Sequence, residues 1–139
     1  MKPENRTQLM EYSGSVQKNT VWSWCAVNED KKQVYLSVWT DSRMKRENDD
    51  RFSYLIMDPY WGTGKEFARS NGRPDLDEKL SKIFDQNYSA FGYFVVAKDP
   101  GANPREIAET KTSFVFSLEL KKLTDGTIIG YPLRRIEVK

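Results

Sequence analysis

The stretch of sequence that decides the fold is residues 21–40, which read VWSWCAVNEDKKQVYLSVWT. Both halves of this stretch are rich in β-branched and aromatic residues, the types that favour strands. The polar run EDKK at positions 29–32 separates them and is typical of a turn. We therefore predict an antiparallel β-hairpin, in which the first strand ends near Asn28 and the second begins near Gln33.

Alternation along the hairpin sorts its side chains onto two faces, because successive residues of a strand point to opposite sides. One face is aliphatic and takes Val21, Cys25, Val27, Val34, Leu36 and Val38. The other face is aromatic and takes Trp22, Trp24, Tyr35 and Trp39. In a hairpin of matched register, the aromatic sides of the two strands cluster.

Outside the hairpin, the sequence predicts more strands and one clear helix. Strands are indicated at residues 52–57, 90–98, 112–121 and 128–138, with the Asp-Gly turn signal at 124–127 before the last one. A helix is indicated after Gly72, because Leu76, Leu80, Ile83 and Phe84 share one helical face and Asn87 is a suitable end. Residues 105–109 are expected to form one helical turn.

These elements predict an α+β fold: a strongly bent, mostly antiparallel sheet or small β-barrel of five to six strands, with one main helix. The length of 139 residues fits one domain. We assign residues 1–19 to a polar N-terminal arm, because they lack hydrophobic periodicity, and residues 20–139 to one β-rich domain.

Composition excludes several kinds of chemistry. The sequence contains no histidine and one cysteine, Cys25, which removes histidine-based acid–base catalysis and the usual zinc sites. A lone cysteine in an apolar strand is typical of a core residue. We expect no cofactor and no metal. The polar N-terminus is unlike a signal peptide, and no apolar run approaches the roughly 18 residues of a membrane span, so we expect a cytoplasmic protein that contacts no membrane.

One enzymatic alternative remains open. Nucleases of the PD-(D/E)xK type place an Asp near one strand and a Glu/Asp-x-Lys motif on the next, where the carboxylates hold magnesium. Here Asp99 ends one predicted strand, and Glu119 and Lys121 lie on the next. The motif is short, and alternating charges on the exposed side of a strand would also produce it.

Aromatic and basic residues suggest a binding protein instead. The candidate ligand pocket consists of Trp22, Trp24, Tyr35, Trp39 and Trp61, whose rings could stack on a flat base. The alternative for each ring is a place in the core. The candidate nucleic-acid contacts are Arg43, Lys45, Arg46, Arg73 and Arg105. The net charge of +2 neither requires nor excludes a polyanionic partner.

Two blocks of the chain resemble the N-terminal module of bacterial HNH restriction-type endonucleases. The first block is residues 20–27 with 35–41, and the second is residues 92–100 with 103–107. This resemblance implies a role in recognising modified DNA, in a chain of bacterial or phage origin. The nuclease segment of those proteins is missing here, since HNH chemistry needs histidine.

The sequence therefore predicts a non-catalytic module that recognises nucleic acid, with a modified base in DNA as the specific candidate. Its partner would be DNA, and a separate nuclease could act with it. The alternatives are the magnesium-dependent nuclease and a protein–protein adaptor or homodimer whose exposed rings form an interface.

Overall fold

The structure is a computed structural model, which describes residues 3–16, 25–45, 52–57, 72–99 and 107–138. Its elements in chain order are helix α1 (Arg6–Ser13), strands β1 (Cys25–Asn28) and β2 (Gln33–Trp39), a 3₁₀ turn (Thr40–Ser42), strands β3 (Arg43–Lys45) and β4 (Phe52–Met57), helix α2 (Gly72–Gln86), and strands β5 (Ser89–Ala97), β6 (Ile107–Thr110), β7 (Phe114–Lys122) and β8 (Ile128–Glu137).

The strands form one mixed sheet in the order β1-β2-β5-β7-β8-β4-β3, with β6 also paired to β5. Strands β2 and β5 are parallel, and α2 lies in the connection between them, whereas the other pairs are antiparallel. The predicted hairpin is confirmed, with Cys25 opposite Leu36 and Asn28 opposite Gln33. The predicted α+β fold, with a mostly antiparallel sheet and one main helix, is confirmed as well.

The sheet is strongly curled but open. In a flat sheet, β4 and β5 would lie three strand spacings apart, about 14 Å. The ring centroids of Tyr54 on β4 and Phe94 on β5 are nevertheless only 5.2 Å apart. The face that carries these two rings is therefore concave. Among the described residues, the terminal strands β1 and β3 do not pair with each other, so the sheet is not a closed barrel.

Each face of the sheet packs against one helix. On the concave face, Leu36 and Val38 of β2 pack in one cluster with Leu76 and Leu80 of α2. On the convex face, Leu9 and Met10 of α1 pack in a second cluster, whose strand residues include Tyr35, Tyr93 and Val95. The division predicted from alternation in the hairpin is thus confirmed for its described residues. The predicted helix is also confirmed, and it ends at Asn87, which takes a left-handed φ of 60°.

Helix α1 corrects the prediction of a loose N-terminal arm. The side chain of Asn5 accepts a hydrogen bond from the amide of Gln8, and Gly14 ends the helix at a φ of 74°. Leu9 is fully buried, and the side-chain amide of Asn28 donates to the carbonyl of Ser13 at 3.0 Å. Leu9 and Met10 are too few to show a helical repeat of apolar residues in the sequence. This helix is therefore stabilised by its packing on the sheet rather than indicated by a local pattern.

Two short strands were also missed. A helical turn was expected at residues 105–109, but residues 107–109 belong instead to β6, which pairs with β5 from Val95 to Ala97. Residues 43–45, for which the sequence indicated no strand, form β3 at the sheet edge. Neither described helix is long and apolar enough to cross a membrane.

Candidate functional site

Of the five residues of the predicted aromatic pocket, the structure describes Tyr35 and Trp39, which lie on the same face of the sheet. Trp22, Trp24 and Trp61 lie outside the described residues. Tyr35 is only 7% exposed and stacks on Phe91 with 5.1 Å between ring centroids, and burial raises the pKa of its hydroxyl. The prediction for Tyr35 is therefore corrected, because it belongs to the convex-side core.

Trp39 is only partly buried. It packs against the same convex-side cluster as Tyr35, at the end of β2. Its ring is therefore the one predicted pocket residue in the described part of the chain that solvent still reaches.

The five basic residues predicted to contact nucleic acid are described by the structure to different extents. Arg46 and Arg105 lie outside the described residues. Lys45 and Arg73 have backbones in β3 and α2, but their side chains are not among those described. Arg43 is exposed, and its guanidinium carbon lies 3.6 Å from the ring centroid of Phe52. The fold thus brings at least one predicted cation onto an aromatic ring.

The residues of the nuclease alternative are not brought together. Because Phe91 pairs with Ser117 in the antiparallel β5–β7 ladder, Glu119 is level with Ser89. Asp99 lies ten residues farther along the chain, a separation of about 33 Å for an extended strand. Among the described residues, moreover, no cluster of three carboxylates or cysteines could hold a metal. Lys121 lies beside Glu119 on β7 but far from Asp99 for the same reason.

Five aromatic rings line the concave face, opposite to the face of Tyr35 and Trp39, and we call them the aromatic trough: Phe52, Tyr54, Phe94, Phe114 and Phe116. Phe94 is the centre of this group. Its ring centroid lies 5.2 Å from that of Tyr54, 4.5 Å from that of Phe116 and 6.0 Å from that of Phe114. The interplanar angles of 38–70° are those of tilted and edge-to-face pairs, which aromatic rings prefer to a full sandwich.

The rings of the trough form a gradient from core to surface. Phe116 is buried at 3% exposure, because it covers Gly92: an alanine Cβ at that position would lie 2.5 Å from the Phe116 ring. Tyr54, Phe94 and Phe114 are partly buried. Phe52 is 44% exposed. The trough is therefore anchored in the core at one end and open to solvent at the other.

Guanidinium groups flank the trough on two sides. Arg43 covers Phe52 from β3, and the guanidinium carbon of Arg135, on β8, lies 4.0 Å from the ring centroid of Phe114. Stacking occupies the face of a guanidinium, while its N–H donors lie in its plane and point outward. Both groups can therefore stack on a ring and still donate to an anion.

Arg135 has an acidic partner on its own strand. Its Nε and Nη2 donate to the two carboxylate oxygens of Glu137, with the second contact at 3.5 Å. Both side chains are more than half exposed, so this ion pair is a surface pair of modest strength, worth about 0–1 kcal/mol. An incoming anion at Arg135 therefore competes with the carboxylate of Glu137.

A second polar cluster is structural. The hydroxyl of Tyr88 donates to Glu29 at 3.0 Å, and this hydrogen bond raises the pKa of Tyr88. Lys82 of α2 pairs with the same carboxylate at 3.5 Å. These contacts hold the end of α2 to the turn of the β1–β2 hairpin.

Sequence reasoning missed most of the trough. The alternation of Phe114 and Phe116 was visible on their strand, and Arg135 was visible as a basic residue near the end of the chain. Nothing local indicated that Tyr54 and Phe94 approach each other, because that contact depends on the curl of the whole sheet. Comparison of the chain with known protein families, curated proteins and solved structures finds no significant match.

Proposed function

We propose that this chain is a non-catalytic nucleic-acid-binding module whose contact surface is the aromatic trough with Arg43 and Arg135. The observation that carries the proposal is the pairing of partly exposed rings with stacked guanidiniums: Arg43 on Phe52 at 3.6 Å and Arg135 on Phe114 at 4.0 Å. Rings supply stacking surfaces for bases, and guanidiniums supply donors for phosphates.

The free energies of such contacts are large enough for binding without any catalytic group. A base stacked on an aromatic side chain contributes about 1–3 kcal/mol. A guanidinium that donates to a phosphate also releases counterions, which makes the affinity depend on salt. With a net charge of +2, affinity must come from such local groups rather than from the overall field.

DNA that carries a modified base is the specific ligand we propose. This choice rests on the resemblance of residues 20–27 with 35–41, and of residues 92–100 with 103–107, to modules that precede restriction-type nucleases. In that setting the chain would recognise the base, and a separate protein would cut.

The test compares two neighbouring arginines on opposite faces. Register places Arg135 opposite Phe116 on the concave face and Arg134 opposite Ser117 on the convex face. We expect Arg135→Gln to weaken binding of fluorescein-labelled oligonucleotides about three- to tenfold in fluorescence anisotropy, an effect of roughly 1 kcal/mol. Arg134→Gln, which removes the same charge, should have less than half that effect in free energy.

A second pair of variants tests the rings. Phe52 in the trough and Phe84 on α2 are similarly exposed, at 44% and 40%. We expect Phe52→Ala to weaken binding at least fivefold and Phe84→Ala to leave it unchanged. The oligonucleotides should include methylated and unmodified duplexes and single strands. Absence of binding to all of them at about 100 μM protein, or equal effects of Arg134→Gln and Arg135→Gln, would contradict the proposal.

A further inference from the structure

We infer that Asp125–Gly126 is a site of isoaspartate formation, and that the hydrogen bonds of the folded β7–β8 hairpin suppress this reaction. The dipeptide lies in the loop 123–127 that joins the two strands. Glycine has no side chain to hinder its amide nitrogen, so an aspartate followed by glycine is especially prone to this reaction. The reaction is a property of the chain itself and is independent of the proposed function.

The reaction needs no reagent other than water. The amide nitrogen of Gly126 loses its proton and attacks Cγ of Asp125, so that an N–Cγ bond forms and a side-chain oxygen leaves as water. A second water then opens the resulting succinimide ring. Cleavage of the N–Cγ bond restores aspartate. Cleavage of the bond between the nitrogen and the main-chain carbonyl carbon of Asp125 leaves the chain running through Cγ, which is isoaspartate and adds one carbon to the main chain of the turn.

The carboxyl group that would be attacked is held in the folded turn. Oδ1 of Asp125 accepts a hydrogen bond from the amide of Thr127 at 2.9 Å. This bond, together with one from the hydroxyl of Thr127, lowers the pKa of Asp125. Loss of water from the side chain requires the protonated carboxyl, because an ionised one reacts poorly with a nucleophile. Thr127 therefore opposes the attack by keeping the carboxyl group ionised and fixed in place.

The attacking nitrogen is engaged as well. The N–H of Gly126 donates to the carbonyl of Leu123 at 3.0 Å, and Gly126 takes a φ of 94°. A hydrogen bond of 2.7 Å from the amide of Leu123 to the carbonyl of Thr127 closes the turn around both reacting groups. Removal of the Gly126 proton and closure of the ring require these contacts to break. The reaction therefore proceeds through the opened turn, which is a minor population of the native protein.

The first measurement compares the whole folded protein with the same sequence outside the fold. The protein and a synthetic peptide of residues 123–134 are incubated at neutral pH and body temperature. Trypsin cuts after Lys122 and Arg134, so the protein yields the same peptide, and chromatography separates its aspartate and isoaspartate forms. This peptide also keeps Asp125 apart from Asn71–Gly72, a dipeptide that can form the same product.

We expect isoaspartate to form at least about tenfold more slowly in the folded protein than in the peptide, because only the open turn reacts. Equal rates in the protein and the peptide would overturn the inference, since the fold would then give no protection.

Two threonines of the loop provide a matched pair of variants. Thr127→Val removes the hydroxyl that bonds Asp125 and keeps the amide donor, whereas Thr124→Val removes a neighbouring exposed hydroxyl. Each variant protein is compared with its own peptide, so that any effect of the substitution on the unfolded chain cancels. We expect Thr127→Val to raise the relative rate about two- to tenfold, the factor that corresponds to one hydrogen bond, and Thr124→Val to leave it unchanged.

A third variant separates opening of the turn from unfolding of the whole chain. Leu9 packs in one cluster with Val115 and Val138, at the opposite end of the β7–β8 hairpin from the turn. Leu9→Ala, incubated below its unfolding transition, should therefore form isoaspartate at Asp125 at the rate of the original protein. An increase like that in Thr127→Val, or equal rates in Thr127→Val and Thr124→Val, would show that the hydrogen bonds of the turn are not what protects Asp125.

Discussion

At the scale of the residue, Tyr93 is the most consequential buried polar group. Its side chain is fully buried beneath α1, and within the described residues its hydroxyl makes no hydrogen bond of ordinary geometry. Burial raises the pKa of this hydroxyl well above its usual range, and the nearby Arg6 and Ser37 oppose that shift only in part. A tyrosinate at this position is therefore very unfavourable in the folded protein.

This position predicts alkaline destabilisation. Because the pKa of Tyr93 is higher in the folded chain than its unfolded value of about 10, its contribution is complete below pH 10 and is lost as the pH rises towards the folded pKa. We expect Tyr93→Phe to change the unfolding free energy at pH 7 by less than about 1 kcal/mol. Between about pH 9 and pH 11, the variant should lose less stability than the original protein in urea unfolding.

Tyr35 and Tyr88 also have raised pKa values, but both are present in the original protein and in the variant. Their contributions to the pH dependence of stability therefore cancel in this comparison. Parallel losses of stability in the two proteins would show that Tyr93 is not the group responsible.

At the scale of the element, the stability of variants in helix α1 distinguishes a loose polar N-terminal arm from a helix that packs on the sheet. A polar arm contributes little to stability, whereas a helix that buries Leu9 and Met10 on the convex face contributes to the core. Deleting the side chain of a buried leucine typically costs about 2–5 kcal/mol. We therefore expect Leu9→Ala to lower the urea midpoint strongly.

Thr7 is the matched control for that experiment, because it lies on the exposed side of the same helix. Thr7→Ala should change the free energy of unfolding by less than about 0.5 kcal/mol. Similar small effects of both substitutions would mean that α1 does not pack as described.

At the scale of the whole molecule, the fold places an exposed ion pair, formed by neighbouring side chains of one strand, beside the aromatic trough. Glu137 holds Arg135 through its carboxylate at the side of the trough. The carboxylate occupies donors that a phosphate would use and also repels the phosphate itself. If the trough binds nucleic acid as we propose, Glu137 weakens that binding and leaves the rings of the trough in place.

Removal of this charge is expected to strengthen binding. We expect Glu137→Gln to raise the affinity for the oligonucleotides that bind about two- to fivefold, in line with the modest energy of an exposed ion pair. Glu109 of β6 offers a control, because it forms a similarly exposed pair with Lys111 at 3.1 Å. An unchanged affinity in Glu137→Gln, or an equal gain in Glu109→Gln, would exclude this competition.

The sequence by itself determined the features that depend on how apolar residues repeat along a single strand or helix. Alternation assigned Val34, Leu36 and Val38 to one face, and the 3.6-residue spacing of Leu76 and Leu80 located α2. Both patterns are properties of neighbouring residues, because a strand repeats every two residues and a helix every 3.6. The strand at residues 52–57 was also predicted from the residues of that segment alone.

Only the tertiary structure decided which of these faces meet. The parallel pairing of β2 with β5, the docking of α1 through Leu9, and the curl that brings Tyr54 to Phe94 each join residues far apart in the chain. Such contacts depend on how the whole core packs and on the twist accumulated over many strands, which no short window of sequence contains. The candidate site consists of such contacts, so local patterns located some of its rings but not the surface that they form.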